Sequence, residues 1–595
     1  MRPEDPMTLT AVTTTGPATA LAVPTQFRPE LTPVGGSLTL SALVALLPLV
    51  TVFVTLGVLR WKAHWAGLTA VAVAVLVASL AFGMPVHLAA LSATQGAAFG
   101  LFPIMWIVFT AILLYQVTVR SGRFEDLRAT FHLISDDPRI QAIIIAFCFG
   151  GLLEALAGFG APVAITGVML MALGFSPLRA AAVVLLANTA PVAFGAVGTP
   201  IITAGTLTGI PYHEIGAYVG HQTPVLAAFV PLLLVLMAGG RRGVRETWPV
   251  AVVVGLTFAV AQWFAATYVS VELTDIIASL AGLAAAVLFL KAWRPRGRET
   301  ALATMQVERE RELASVGAGP GSSATVTPPA DAHAVSADAL ARRSHDLTPG
   351  RITMALLPYL LVIVVFGVAK LVTPVKTWLV GTDVKVPWPG LSGEVLTLKG
   401  TPSAATTYTL PWLSSPGTML LLCSLVVAAV YAVGMRGWAA EAWAVAHRMR
   451  WAFLTVASML ALAYVMNFSG QTIVIGTWIA GTGALFAYLS PTLGWIGTAV
   501  TGSDTSANAL FATLQQSAAQ TAGIDPTLLV ASNTSGGVVG KMISPQNLTI
   551  AATSVGLLGR EADILRRVLP WSVGLILAMC LLVGLQSTVL AWMLP

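Results

Sequence analysis

GLLEALAGFGAPVAITG, residues 151–167, decides how this chain folds. The apolar blocks around it, 140–153 and 163–174, are both shorter than the roughly 20 residues that a helix needs to cross a bilayer. Gly158, Gly160 and Pro162 lie between them. Glycine reaches backbone conformations closed to other residues, and proline cannot continue a helix, so the stretch reads as a break. Two half-crossings joined by a break predict a re-entrant hairpin with both ends on one side of a membrane. Glu154 lies in the first arm. A charge at that depth costs on the order of 2.5–3.5 kcal/mol on insertion scales, so such residues are usually paired or functional.

The rest of the chain agrees with a membrane setting. Of 595 residues, 56% are hydrophobic and 10% charged, with a mean hydropathy of +0.82. Soluble domains carry about 25% charged residues, so an ordinary soluble enzyme is excluded. The net charge of +6 is spread over loops rather than gathered on a face, which excludes nucleic-acid binding. Further apolar blocks lie at 38–60, 65–83, 99–119, 181–198, 224–240, 248–268, 274–290, 353–372, 418–434, 452–468, 527–544 and 570–593. Alternating the loops between them puts 24 of the 32 Lys and Arg on one side, among them Lys62, Arg120, Arg241 and Arg448. Six, including Lys370 and Lys385, fall on the other. The basic side is then cytoplasmic and both termini lie outside. The three cysteines, Cys148, Cys423 and Cys580, read as buried hydrophobes. No Cys/His cluster has metal-ligand spacing and no glycine loop suits a nucleotide, so neither metal nor cofactor is expected.

A repeat organises the blocks. NTAPVAFGAVGTP begins at Asn188 and NTSGGVVGKMISP at Asn533; in each, Gly follows the Asn by seven residues and Pro follows that Gly by five. TGSDTSAN, Thr501–Asn508, supplies a second break, with Gly502 31 residues before Asn533 and Gly158 30 before Asn188. Three spans, a hairpin and two spans per half make an odd number of crossings, so the second half is expected upside down relative to the first. The expected fold is an all-α polytopic membrane protein: about 12 transmembrane helices plus two re-entrant hairpins, in two inverted-topology repeats. Residues 1–37 form a flexible extracytoplasmic tail, 38–240 the first repeat, and 241–294 a connecting helix pair. Residues 295–350 form a disordered cytoplasmic linker and 351–595 the second repeat. Block 471–489 fits only as a tilted or interfacial segment, and 199–223, without Lys or Arg, as an outer loop.

FCFGGLLEALAGFGAPVAITGVMLMALGFSPLRAAAVVLLANTAPVAFGAVGTPI (147–201) resembles the signature region of the bacterial L-lactate permease family, as does GSDTSANALFATLQQSAAQ followed by NTSGGVVGKMISPQ (502–546). The likeness runs from about residue 38 to the C-terminus. It implies a carrier of L-lactate, with D-lactate and glycolate as co-substrates, that moves the monocarboxylate with protons across the bacterial cytoplasmic membrane. The chain departs in reading Glu-Ala-Leu-Ala-Gly at 154–158 where the family pattern has Glu-Gly-Ala-Ala-Gly.

A 2-hydroxy acid offers a carboxylate and a neighbouring hydroxyl. Broken helices meeting at mid-membrane mark the sites of secondary transporters, and exposed N–H groups at helix N-termini suit anions. Gly158, Gly160, Gly502 and Ser503 fall where such ends are expected. Asn188 and Asn533 bring amides that both donate and accept. Thr189, Thr534 and Ser535 follow them, and Lys541 supplies a cation. Glu154 or Asp504 is expected to carry the coupled proton. Two structural alternatives stay open: that the small residues serve only close helix packing, and that Lys541 pairs with Glu154 or Asp504 simply to lock the hairpins. Rival functions are a same-fold carrier of another organic anion, one coupled to sodium, a respiratory membrane subunit, or a channel.

Overall fold

The computed structural model describes residues 26–59, 61–132, 134–135, 137–158, 160–317, 347–557 and 560–595. It is built of helices, because inside lipid every backbone N–H and C=O must find its partner within the chain. Among the described residues, nine helices are long and apolar enough to cross a membrane, from Leu38–Leu56 to Glu561–Gln586. Their outward faces stay apolar, with Leu76, Leu80, Leu288 and Leu577 exposed.

At the centre lie four interruptions. The helical run Pro138–Gln141, Ala142–Phe149 and Gly150–Ala157 stops where Gly158 takes φ 27° and Gly160 takes φ 89°, and it restarts as Ala161–Ala172. The restarted helix packs back along Ala142–Phe149 and Gly150–Ala157, so the two arms form a hairpin. The first arm is buried throughout its apolar window, a helix inside the protein rather than one facing lipid. Leu485–Thr501 and Asp504–Ala522 form a second hairpin around Gly502, at φ 77°. The Ser503 hydroxyl caps its second arm by accepting from the Ser506 N–H at 3.4 Å.

Two broken helices complete the centre. Pro177–Ala187 is followed by an irregular stretch and then Thr199–Thr208; Pro526–Lys541 is followed by a short break and then Pro545–Ser554. Pro200 and Pro545 each open the restarted piece, where a missing N–H costs nothing. Thr199–Thr208 packs on Asp504–Ala522, the second arm of the later hairpin. Reciprocally, Pro545–Ser554 packs on Ala161–Ala172, the second arm of the earlier one. The expected span 181–198 is therefore corrected: helix ends at Ala187, since Pro191, Gly195 and Gly198 cannot sustain it. Residues 199–208 are likewise a largely buried helix rather than an outer loop.

Three more expectations meet the structure. Within 1–37, residues 1–25 lie outside the described residues, but Phe27 and Arg28 are tied down. The Phe27 N–H donates to Glu394 O at 2.8 Å and Arg28 Nη2 to Leu398 O at 2.6 Å. Within 295–350, residues 318–346 lie outside the described residues, whereas Arg298–Gly317 is a helix. It docks through an Arg179–Glu308 ion pair and a 2.6 Å bond from the Leu178 N–H to Glu312 Oε1. Block 471–489 resolves into Gln471–Ile479, packed on Asp504–Ala522, and the start of the second hairpin's first arm. A small antiparallel pair, Val384–Pro387 with Thr407–Leu410, belongs to the segment between Thr373–Gly381 and Pro416–Val430.

Candidate functional site

Glu154 stands in the last turn before the first break, and Lys541 ends the helix before the fourth. Both are buried. Lys541 Nζ donates to Glu154 Oε1 at 2.7 Å, and Asn188 Nδ2 donates to Glu154 Oε2 at 2.9 Å. One carboxylate thus joins residues 387 positions apart, with both of its oxygens engaged. The pair borders a cavity of about 40 Å3, room for about one water molecule. Gly158, Thr199, Gly502, Ser503, Asp504 and Thr505 also line it. The N-termini of Thr199–Thr208 and Asp504–Ala522 meet here, each the positive end of a helix dipole. Asp504 Oδ1 accepts from Thr498 Oγ1 at 3.3 Å, while its Oδ2 has no hydrogen-bond partner among the described residues. Gly537 makes the room: a Cβ there would strike Asp504 Oδ1.

Of the residues singled out from sequence, the structure gathers Glu154, Gly158, Gly502, Ser503, Asp504 and Lys541 around this cavity, with Asn188 held against it through Glu154. It sends the others elsewhere. Gly160 lies under Ile550, where a side chain would collide. The Thr189 hydroxyl donates back to the end of the preceding helix at Leu186 O, 2.7 Å away. Asn533 is engaged at both ends of its amide: its Oδ1 accepts from Gln515 Nε2 and its Nδ2 donates to Asn508 Oδ1, both at 2.8 Å. The Thr534 hydroxyl accepts from Asn508 Nδ2 at 2.8 Å, and that of Ser535 donates to Gln222 Oε1 at 2.6 Å. Asn188 and Asn533 repeat in sequence but do different work. Asn188 is at the open end of a broken helix. Asn533 is mid-helix, where Gly494, Gly536 and Gly540 bring Leu485–Thr501 and Pro526–Lys541 into backbone contact.

The sequence model of the L-lactate permease family matches residues 41–590. The chain belongs to that family. It is 40% identical over 587 residues to an L-lactate permease of Bacillus subtilis strain 168, covering 96% of this chain and 100% of that one. It is 41% identical over 546 residues to the glycolate permease GlcA of Escherichia coli K12, covering 90% and 93%. An L-lactate permease from the same strain matches at 37% over 570 residues, covering 94% and 98%. The protein is therefore a multi-pass membrane permease, not an enzyme.

Sequence reasoning missed a third acid of the permease's core. Asp275, in the first turn of Thr274–Ala292, is buried and close enough to Glu154 to interact electrostatically. Gln262 Nε2 donates to its Oδ1 and to Ala190 O in the irregular stretch, both at 3.1 Å, and Asp275 Oδ2 lacks a partner among the described residues. The signal was an acid inside the apolar block 274–290, overlooked because that block was read only as a connector. Among the described residues no group of His, Cys, Asp and Glu could hold a metal ion.

Two wide vestibules flank the small cavity. One, of about 990 Å3, is lined by Lys62, His64, Trp451 and Glu561 and shares Ser503 with it. The other, of about 760 Å3, is lined by Glu272, Lys370, Tyr408 and Gln516. They lie toward opposite ends of Asp504–Ala522, since Ser506 faces the first, and Thr513 and Gln520 the second.

Proposed function

We propose that the chain takes up L-lactate, with D-lactate and glycolate as further substrates, together with protons across the bacterial cytoplasmic membrane. The vestibule holding Lys62 faces the cytoplasm and that holding Lys370 faces outward. Two oppositely oriented repeats alternate access; the reciprocal docking of each broken helix on the other half's hairpin supports that symmetry.

The observation that carries the reading is the Lys541–Glu154–Asn188 cluster among four helix breaks. Among the described residues Lys541 makes its ion pair with Glu154, while Asp504 faces the same small cavity without a hydrogen bond or ion pair to it. A substrate carboxylate takes Lys541 only by displacing Glu154, and a displaced carboxylate in a closed, water-poor site must be neutralised. Glu154 therefore accepts a proton as the anion binds, which ties one proton to one monocarboxylate. The helix N-termini at Thr199 and Asp504 add N–H donors to the anion. Asn188, released by the protonated acid, and the hydroxyls of Ser503, Thr199 and Thr505 suit the substrate hydroxyl. Asp504 faces the same space without contacting Lys541 and shapes the pocket rather than carrying the proton.

The test is uptake of labelled L-lactate by proteoliposomes under an imposed pH gradient or an imposed sodium gradient, with glycolate, D-lactate, pyruvate and acetate as competitors. Uptake driven by the pH gradient and blocked by the 2-hydroxy acids is expected. Uptake that follows sodium, or competition by unrelated anions alone, rejects the reading.

A further inference from the structure

The outer vestibule contains a second cluster built like the first. Lys370 Nζ lies 2.8 Å from Glu272 Oε1 and 3.2 Å from the Tyr212 hydroxyl, which itself donates to Glu272 Oε1 at 3.1 Å. The Ser270 hydroxyl donates to Glu272 Oε2 at 2.6 Å. Glu272 is 1% exposed along its side chain and Lys370 18%, so of the two vestibule-lining partners the lysine is the more open. Lys370 is the one Lys or Arg lining this vestibule among the described residues. In both clusters a lysine from the second half of the chain meets a glutamate from the first half, with a neutral polar group as third member.

Two helices run between this vestibule and the central cavity. Along Thr199–Thr208, Ile202 and Thr206 face the vestibule and Thr199 the cavity; along Asp504–Ala522, Gln516 and Thr513 face the vestibule and Thr505 the cavity. Between the two spaces Asn508 Nδ2 donates to Pro200 O at 3.2 Å and closes the helices on one another, while Gln516 Nε2 donates to Thr208 O at 2.8 Å in the vestibule wall. An anion waiting outside this closure has a single fixed cation to bind.

We propose that Lys370, with Tyr212, is an outer waiting subsite for the carboxylate of the transported monocarboxylate, which exchanges with Glu272 at the ammonium before the Asn508–Pro200 closure opens. The proposal rests on the monocarboxylate reading above. Its step is an exchange of ion-pair partners: no covalent bond changes, and Glu272, which lines the wide vestibule, stays ionised while displaced, held by the Ser270 hydroxyl and solvated from the vestibule side.

The test uses the full chain with labelled L-lactate, measuring half-saturation from the outside in right-side-out vesicles and from the inside in inverted ones. Removing Lys370 alone strands Glu272, so the informative variant is Lys370→Met with Glu272→Gln, which removes the pair and leaves no orphan charge. Outer half-saturation is expected to rise roughly tenfold, the loss of one charge-assisted contact, with inner half-saturation unchanged. Lys370→Arg is expected to stay near the wild-type outer value. A double variant whose outer value does not move, or whose two sides shift equally, overturns the subsite while leaving monocarboxylate transport intact. A wild-type chain that carries none of L-lactate, D-lactate and glycolate overturns both.

Discussion

Glu154→Gln tests the coupling directly. The substitution keeps the side chain's shape and its acceptor for Asn188 but removes the only ion-pair partner of Lys541, 2.7 Å away, among the described residues. At that distance the Coulomb attraction is about 6 kcal/mol for an effective dielectric of ~20. Most of it repays desolvation, so the net cost of stranding the buried ammonium is about 3–5 kcal/mol. The variant is expected to unfold at lower sodium dodecyl sulfate in mixed micelles, and Lys541→Gln added to it should recover most of the loss. In transport, Lys541 is then free to take an anion without a proton. Counterflow of labelled L-lactate should persist, while accumulation driven by a pH gradient should fall to the level seen without one. Full pH-driven accumulation by a folded Glu154→Gln protein would refute the reasoning, as would a stability loss below about 1 kcal/mol, which would place the pair in water.

Further predictions follow from the same geometry. Asp504→Asn should retain pH-driven accumulation, because Asp504 accepts a hydrogen bond from Thr498 and, among the described residues, makes none with Lys541; loss of accumulation in vesicle assays would move the proton to Asp504. Asn533→Ala removes one buried hydrogen bond from each of Gln515 Nε2 and Asn508 Oδ1, which keep Ser490 O and the Thr534 hydroxyl, and should cost about 1–3 kcal/mol in denaturation. Its half-saturation should stay unchanged. Gly502→Ala sets a Cβ at φ 77° and 2.5 Å from Gln546 Oε1, so it should cost about 1–2 kcal/mol and slow turnover in exchange assays. Arg139→Met leaves Asp137 and Glu246 without the buried guanidinium that bonds both, and should lower stability by about 3–5 kcal/mol without altering substrate preference.

Much of the candidate site's location was legible in the chain. Gly158 and Gly502 announce breaks because no neighbouring residue could replace their backbone freedom, and Glu154, Asp504 and Lys541 stand out because lipid tolerates so few charges. What misled was symmetry: the same Asn-Thr occurs at 188 and 533, yet one asparagine ends a helix beside Glu154 and the other is locked between helices by Gln515 and Asn508. Local sequence does not say which way a polar side chain faces inside a buried helix, because every direction there is protein.

Membrane class, the places where helices must stop, and the scarcity of intramembrane charge were set by composition and by the bilayer's demand that backbone groups be satisfied within the chain. Which glutamate meets which lysine was decided only by tertiary structure. Glu154 found Lys541 rather than Asp504 doing so, Asp275 came to the core from a helix that looked like a connector, and Lys370 left the loops to join Glu272. Hydropathy depends on each residue's own transfer free energy, whereas an ion pair depends on distances across hundreds of residues that only the packed fold defines.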